Sequence, residues 1–209
     1  MEIIFKAIIV LIIGYVIGSL NTSIIVSKFY GTDIREHGSK NAGMTNTFRV
    51  LGKFAGLLVI LGDTFKGILS AYLGKLVLGQ INGVSEVGML LGGLGAILGH
   101  NFPIFFRFKG GKGILTTAAV LTYIDYRIAA SLFLIFLVVV ITTRYISLGS
   151  IVCAVLIPFA VTIYRHDNAR LYMIVWSIIV AISAIIMHRE NIKRLFSGTE
   201  SKFSIKKKS

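Results

Sequence analysis

Long apolar runs, parted by short polar segments rich in glycine and cations, account for most of the chain. Residues 3–26 are apolar apart from Lys6 and a small patch of Ser19, Asn21, Thr22 and Ser23. As a helix, that length crosses a bilayer core of about 30 Å. Further runs of spanning character cover 54–78, 87–106, the stretch up to Tyr164 that follows a polar turn at 143–150, and 171–187. Two pieces, 114–124 and 128–142, are parted by Asp125-Tyr126-Arg127 and are both short for a full crossing. The pattern predicts an all-α fold: a polytopic membrane helix bundle of about seven transmembrane helices, occupying 1–198, with a basic tail over 199–209. A cleaved leader would carry positive charge before its apolar run and a small-residue cleavage site after it. Here Glu2 precedes and no A-x-A pattern follows, so the first span is expected to be retained.

Composition agrees with that pattern. Fifty-five per cent hydrophobic residues and a mean hydropathy of +0.82 leave too little polar surface for a soluble domain of 209 residues. Charge adds orientation. Of 22 Lys and Arg, sixteen fall in the loops that share a side with 28–53, 107–112, Arg144 and the tail; Lys75, Arg127, Arg165 and Arg170 fall in the other set, and Lys6 and Lys66 lie within spans. The positive-inside rule then sets the N-terminus outside and the C-terminus in the cytoplasm, with Lys206-Lys207-Lys208 disordered over lipid headgroups. A net charge of +13 suits membrane lipids or an anionic substrate. It argues against nucleic acid, because the cations are scattered among apolar spans. The single cysteine, Cys153, lies in an apolar run and cannot form an intrachain disulfide.

Four polar segments carry the candidate chemistry, and the loop assignment brings them to one membrane face. The first, 38–49, is Gly38-Ser39-Lys40-Asn41-Ala42-Gly43-Met44-Thr45-Asn46-Thr47-Phe48-Arg49. Its glycines let backbone N–H groups approach a ligand, Ser39, Asn41, Thr45 and Asn46 add hydroxyl and amide donors, and Lys40 and Arg49 add charge. That composition suits a phosphate cradle, and a solvated turn would draw on the same residues. The second, 99–113, ends in Phe108-Lys109-Gly110-Gly111-Lys112-Gly113. The third is the turn at 144–150, and the fourth is His188-Arg189-Glu190-Asn191-Ile192-Lys193-Arg194. Many cations and hydroxyls with few carboxylates favour a phosphorylated substrate. Within the spans, Asp63 and Lys66 share a helical face, either as a functional pair or as a structural one. Gly88, Gly92, Gly93, Gly95 and Gly99 permit close helix contact.

Several familiar chemistries are excluded. The Gly110-Gly111-Lys112-Gly113 run lacks P-loop spacing, since Gly113 stands where Ser or Thr should follow the lysine. No H-E-x-x-H is present, and no histidine is followed five residues later by aspartate, so neither a zinc site nor an H-x4-D acyltransferase pair is expected.

Across nearly its whole length the sequence resembles the bacterial integral-membrane acyl-phosphate:glycerol-3-phosphate acyltransferases, the PlsY family. The resemblance rests on Gly18-Ser19; Gly38-Ser39 through Thr45-Asn46 with Arg49; Asp63 with Lys66-Gly67; Gly99-His100 with Pro103 and the segment 108–113; Arg144-Tyr145 with Ser147 and Ser150; and His188-Arg189-Glu190-Asn191-Ile192. Met187 and Asn21 depart from it, standing where the family often has Arg and Pro. The family implies transfer of a fatty acyl group from acyl phosphate to the 1-hydroxyl of glycerol 3-phosphate, giving lysophosphatidic acid, in the bacterial inner membrane and without cofactor or metal. By position, Ser39, Arg49, Lys112, His188 and Asn191 resemble the residues that gather glycerol 3-phosphate, with Asn41, Thr45 and Asn46 alongside. Ser150 and the Gly110 and Gly111 backbones resemble the surroundings of the acyl phosphate. Lys112, His188 and Ser150 are thus the catalytic candidates. Two roles stay open for His188, general base or hydrogen-bond donor to phosphate, and the resemblance favours deprotonation by a phosphate oxygen of the donor itself. The rival class is a transporter for an anionic solute, against which the polar motifs crowd one face and show no inverted repeat.

Overall fold

The computed structural model describes residues 1–203, so the Lys206-Lys207-Lys208 assignment lies outside the described residues. Ten α-helices are present among them: α1 (Glu2–Gly18), α2 (Thr22–Phe29), α3 (Met44–Leu51), α4 (Lys53–Leu78), α5 (Glu86–Asn101), α6 (Ile114–Ile124), α7 (Tyr126–Thr143), α8 (Ile146–Tyr164), α9 (Arg170–Met187) and α10 (Arg189–Phe196). The chain divides into two compact units, one ending at Ile124 and the other beginning at Asp125.

Six helical stretches are long and apolar enough to cross a membrane. The seventh element of the sequence-based count, α6, has 11 residues and reaches about 17 Å, short of the hydrocarbon core. Helix α7 is longer than its pattern predicts, 18 residues, because Asp125 caps it: Oδ1 accepts from the Arg127 backbone N–H at 3.1 Å. The first span is not one continuous helix. Ser19, Leu20 and Asn21 interrupt it, and Asn21 restarts the chain as the N-cap of α2, its Oδ1 accepting from Ile24 N–H at 3.1 Å. The third ends at Asn101 rather than Phe106, since Pro103 cannot continue the helix and Ile104–Phe106 forms a 3-10 turn.

In the first unit α5 packs against α1, α4 and α6. Gly92 shows why α5 is glycine-rich. A Cβ there would overlap the Ser70 carbonyl of α4, while the Gly92 carbonyl lies where a Cβ on Gly14 of α1 would stand. Backbones this close exclude side chains and gain dispersion contact instead. The outward positions of α1, among them Ile3, Ile4, Phe5, Ile8, Ile12 and Val16, stay exposed, as expected of a lipid-facing surface.

In the second unit α8 packs against α7 and α9, with Gly149 lying on Phe136 and Val140. Arg165 is buried and ties two corners together, reaching Asp167 at 2.7 Å and Asp125 at 3.5 Å. Arg127 lies 2.7 Å from Asp125, and this guanidinium holds the Asp125 carboxyl below the usual carboxylate range.

Candidate active site

The loop that joins α2 to α3 is folded around its own polar side chains. Ile34 anchors it in a small apolar cluster with Ile24 and Ala42. Asn46 organises the far end: Oδ1 accepts from Ser39 N–H at 2.8 Å, and its amide donates to the Ile34 and His37 carbonyls at 3.1 and 2.9 Å. Gly38 and Lys40 take left-handed backbone conformations, each at φ 59°, and a side chain on Gly38 would collide with Asn46 Oδ1. Met44, Thr45, Asn46 and Arg49, read from sequence as part of a loop, lie instead on the short helix α3.

Two residues that the sequence did not single out for the site join this loop to the next. Arg35 grips Asp33 at 2.6 Å and donates through Nη1 to the carbonyls of Phe106 and Lys109, at 2.9 and 3.3 Å. The guanidinium holds the Asp33 carboxyl below its ordinary range. Asn21 Nδ2 reaches the carbonyls of Ala42 and His100, at 3.4 and 3.5 Å. Nothing in composition or spacing marks this bridging role, because the carbonyls through which they join the two loops are distant in sequence.

The second glycine loop folds back onto the end of α5. Gly110 N–H donates to the Asn101 carbonyl at 3.2 Å and Gly111 N–H to that of His100 at 3.1 Å. A Cβ on Gly111 would run into the His100 ring and the Ala42 carbonyl, so only glycine lets this loop lie against both. Within the first unit the structure therefore brings the 38–49 and 99–113 segments together. Ser39 and Arg49 are exposed, Asn41, Thr45, Gly110 and Lys112 half-buried, and Asn46 and Gly111 buried. Helix α3 starts directly after Gly43 with no side-chain cap on its first turn, and α6 starts directly after Gly113. Free N–H groups at a helix N-terminus, beside cations, attract phosphate.

In the second unit the same motif recurs twice. Helix α8 begins at Ile146 after Tyr145, and α10 begins at Arg189 after His188, each without a side-chain cap on its first turn. Ser147 and Ser150, read from sequence as a turn, therefore occupy the start of a helix. Ser150 is buried and its Oγ donates to the Ile146 carbonyl at 3.0 Å. His188 is buried, with Nδ1 2.7 Å from the Ala184 carbonyl. A carbonyl only accepts, so Nδ1 carries hydrogen and Nε2 is the nitrogen left to accept or donate elsewhere.

Glu200, missed in the sequence because it lies in the apparent tail, is the hub of this unit's polar end. Oε1 accepts from Ser147 Oγ and Asn191 Nδ2, both at 2.7 Å, and Oε2 from Arg194 Nε at 2.7 Å. Burial works to raise its pKa, yet these hydrogen bonds outweigh burial and hold the carboxyl below the usual range. A group whose folded-state pKa is depressed contributes stability at neutral pH and loses it as pH falls through the folded value. Acidification below the ordinary carboxylate range is therefore expected to loosen Asn191 and Ser147. Glu200→Gln should remove that acid-dependent step from a thermal-unfolding series taken against pH, and an unchanged step would contradict the assignment.

Among the described residues no three His, Cys, Asp or Glu side chains are gathered so as to hold a metal ion. The chemistry available at the polar ends is that of fixed N–H donors, cations and histidines, His37 and His100 in the first unit and His188 in the second.

Comparison with known proteins gives this arrangement a lineage. A family model described as glycerol-3-phosphate acyltransferase matches residues 8–198. The glycerol-3-phosphate acyltransferase of Chlorobaculum tepidum is 40% identical, covering 95% of this chain and 97% of its own. That of Bacillus cytotoxicus is 42% identical, covering 98% of each. Among solved structures, the glycerol 3-phosphate form of PlsY, an integral membrane glycerol 3-phosphate acyltransferase, aligns with a TM-score of 0.85 at 34% identity over 95% of this chain and 96% of that one. The lysophosphatidic acid form aligns with a TM-score of 0.82 at 33% identity over 95% of each. The chain, a multi-pass integral membrane protein, belongs to the glycerol-3-phosphate acyltransferase family.

Proposed function

We propose that this protein transfers a fatty acyl group from acyl phosphate to the 1-hydroxyl of glycerol 3-phosphate, releasing lysophosphatidic acid and inorganic phosphate. The observation that carries this reading is the pair of glycine loops in the first unit, each opening directly into a helix N-terminus and together bearing Ser39, Lys40 and Lys112, with Arg49 on the helix that follows the first of them. Two forms of the similar PlsY, one with glycerol 3-phosphate and one with lysophosphatidic acid, lend support as substrate and product of such a step.

Acyl phosphate is an activated mixed anhydride. The 1-hydroxyl oxygen attacks its carbonyl carbon, the bond from that carbon to the phosphate oxygen breaks, and the departing phosphate takes the hydroxyl proton. No covalent acyl-enzyme is needed, and positioning with charge stabilisation suffices. In this reading Ser39, Asn41, Thr45 and Arg49 bind the glycerol 3-phosphate, and Asn46 serves by holding their loop. Lys112 helps gather glycerol 3-phosphate and, beside the Gly110 and Gly111 backbones at the acyl phosphate, stabilises the charge that develops in the transfer. Asn191 binds acceptor phosphate, His188 donates to it through Nε2 as the doubly protonated imidazolium, since Nδ1 already donates to a carbonyl, and Ser150 serves on the donor side. Ser150 suits a supporting role better than a nucleophilic one, because its hydroxyl is spent on its own helix. The fatty chain lies among the spans, where burial contributes about 0.8 kcal/mol per methylene.

We place the protein in the bacterial inner membrane with its N-terminus outside and the glycine loops facing the cytoplasm, counting the short α6 as a crossing, on the strength of the sixteen cations that then share their side. Span 1–198 is taken as the acyltransferase domain. Purified protein in detergent, where no compartments exist for transport, is expected to convert acyl phosphate and glycerol 3-phosphate to lysophosphatidic acid. Absence of product together with solute flux in vesicles would favour the transporter instead. For orientation, cysteine at Arg49 or Lys109 in a Cys153→Ala background should react with an impermeant maleimide only after the cell membrane is opened, and labelling of intact cells would reverse the topology.

A further inference from the structure

Asp63 and Lys66, one turn apart on α4, and His100, in the last turn of α5, form a buried polar cluster that the reaction above leaves unused. Lys66 Nζ lies 2.8 Å from Asp63 Oδ1, 3.0 Å from His100 Nδ1 and 3.3 Å from the Leu20 carbonyl. An ammonium has three hydrogens and accepts nothing. It can only donate, so His100 Nδ1 must be the acceptor of their 3.0 Å contact. The ring hydrogen then sits on Nε2, a tautomer set by what the other nitrogen meets. The separation of 3.6 Å from His100 Nδ1 to Asp63 is too long for a hydrogen bond and fits the same assignment.

What the ring does with its other edge is visible at Gly111. His100 Nε2 occupies the space a Gly111 side chain would need, and the Gly111 N–H is bonded to the carbonyl of His100 itself. The imidazole is thus wedged between a buried cation and the glycine loop. Charges in a membrane span are costly to bury, and a pair serving only to cross-link α4 would not need a histidine from α5.

We propose that Lys66, backed by Asp63, is a positioning residue that acts through His100: it holds the imidazole as the Nε2–H tautomer, and the ring braces Gly110 and Gly111 in the shape that receives the acyl phosphate. The inference rests on the acyl-phosphate reading above. It assigns the brace to the donor side, because the ring abuts Gly111, which the reading above sets at the acyl phosphate.

The test uses full-length protein in detergent, with palmitoyl phosphate and glycerol 3-phosphate as the probes. Selective 15N labelling of histidine, with His100→Gln to assign the signal, should show His100 Nδ1 as an unprotonated acceptor and Nε2 as protonated. His100→Ala should raise KM for palmitoyl phosphate roughly 10–100-fold, the scale of a misplaced binding group, while KM for glycerol 3-phosphate stays within about twofold. Asp63→Asn combined with Lys66→Met strands no charge, and it should give the same split and lose the nitrogen signature. A protonated Nδ1 in the parent protein, or KM values that rise together or not at all, would overturn the inference while leaving the reaction in place. Parent protein inert toward palmitoyl phosphate would instead overturn the function itself.

Discussion

Lys112→Ala is expected to lower turnover by about 10²–10³-fold, the order seen when one preorganised charge stabiliser is removed from a transition state. The loss should fall on kcat, because negative charge on the leaving phosphate grows as the carbon–oxygen bond breaks and the lysine serves that state more than the ground state. Geometry supports singling it out among the 22 cations. It is half-buried, directly after the buried Gly111 and two residues before α6 begins, where the N–H groups of the first helical turn add to its field. Lys208→Ala, in the far tail, is the matched control and should leave turnover unchanged. Steady-state kinetics on both variants decide the matter: equal turnover in the two would remove Lys112 from the site.

Lys66→Met should destabilise the first unit by about 3–5 kcal/mol, the usual consequence of removing one partner from a buried ion pair. The methionine fits the space, so the loss comes from Asp63, whose carboxylate would be left 1% exposed without its cation. Removing both charges together, Asp63→Asn with Lys66→Met, should recover much of that stability. Thermal unfolding in detergent reads both. A single variant as stable as the parent would mean that the pair is uncharged or relaxes freely.

How much of this was legible in the sequence depends on the range of the interaction. Apolar runs alone located the spanning helices, because a membrane helix satisfies its backbone internally and shows it as an unbroken hydropathic stretch. Their ends were less legible where polar residues act as caps. The patch at Ser19–Asn21 looked like a tolerated polar spot within one span, yet Asn21 stops one helix and starts another. Short helices escaped notice for a related reason: α3 and α10 are eight residues each, too polar and too brief to show a period.

The site followed the same rule. Glycine and cation motifs are local, so Ser39, Arg49, Gly111 and Lys112 could be nominated directly. Arg35, Asn21 and Glu200 each reach a partner far along the chain, Glu200 through Ser147, and no local pattern marks them. Asp63 and Lys66 were recognisable as a pair by their spacing of three, but the third member, His100, comes from another helix and only the fold supplies it.

The central claim is direct transfer between two held phosphorylated substrates, with no acyl group parked on the protein. Rapid-quench measurement of phosphate release from acyl phosphate tests it most directly. The account predicts no release above background until glycerol 3-phosphate is added, and thereafter one phosphate for each lysophosphatidic acid formed. A stoichiometric burst of phosphate before the acceptor is present, with the acyl group recovered on the protein, would contradict it.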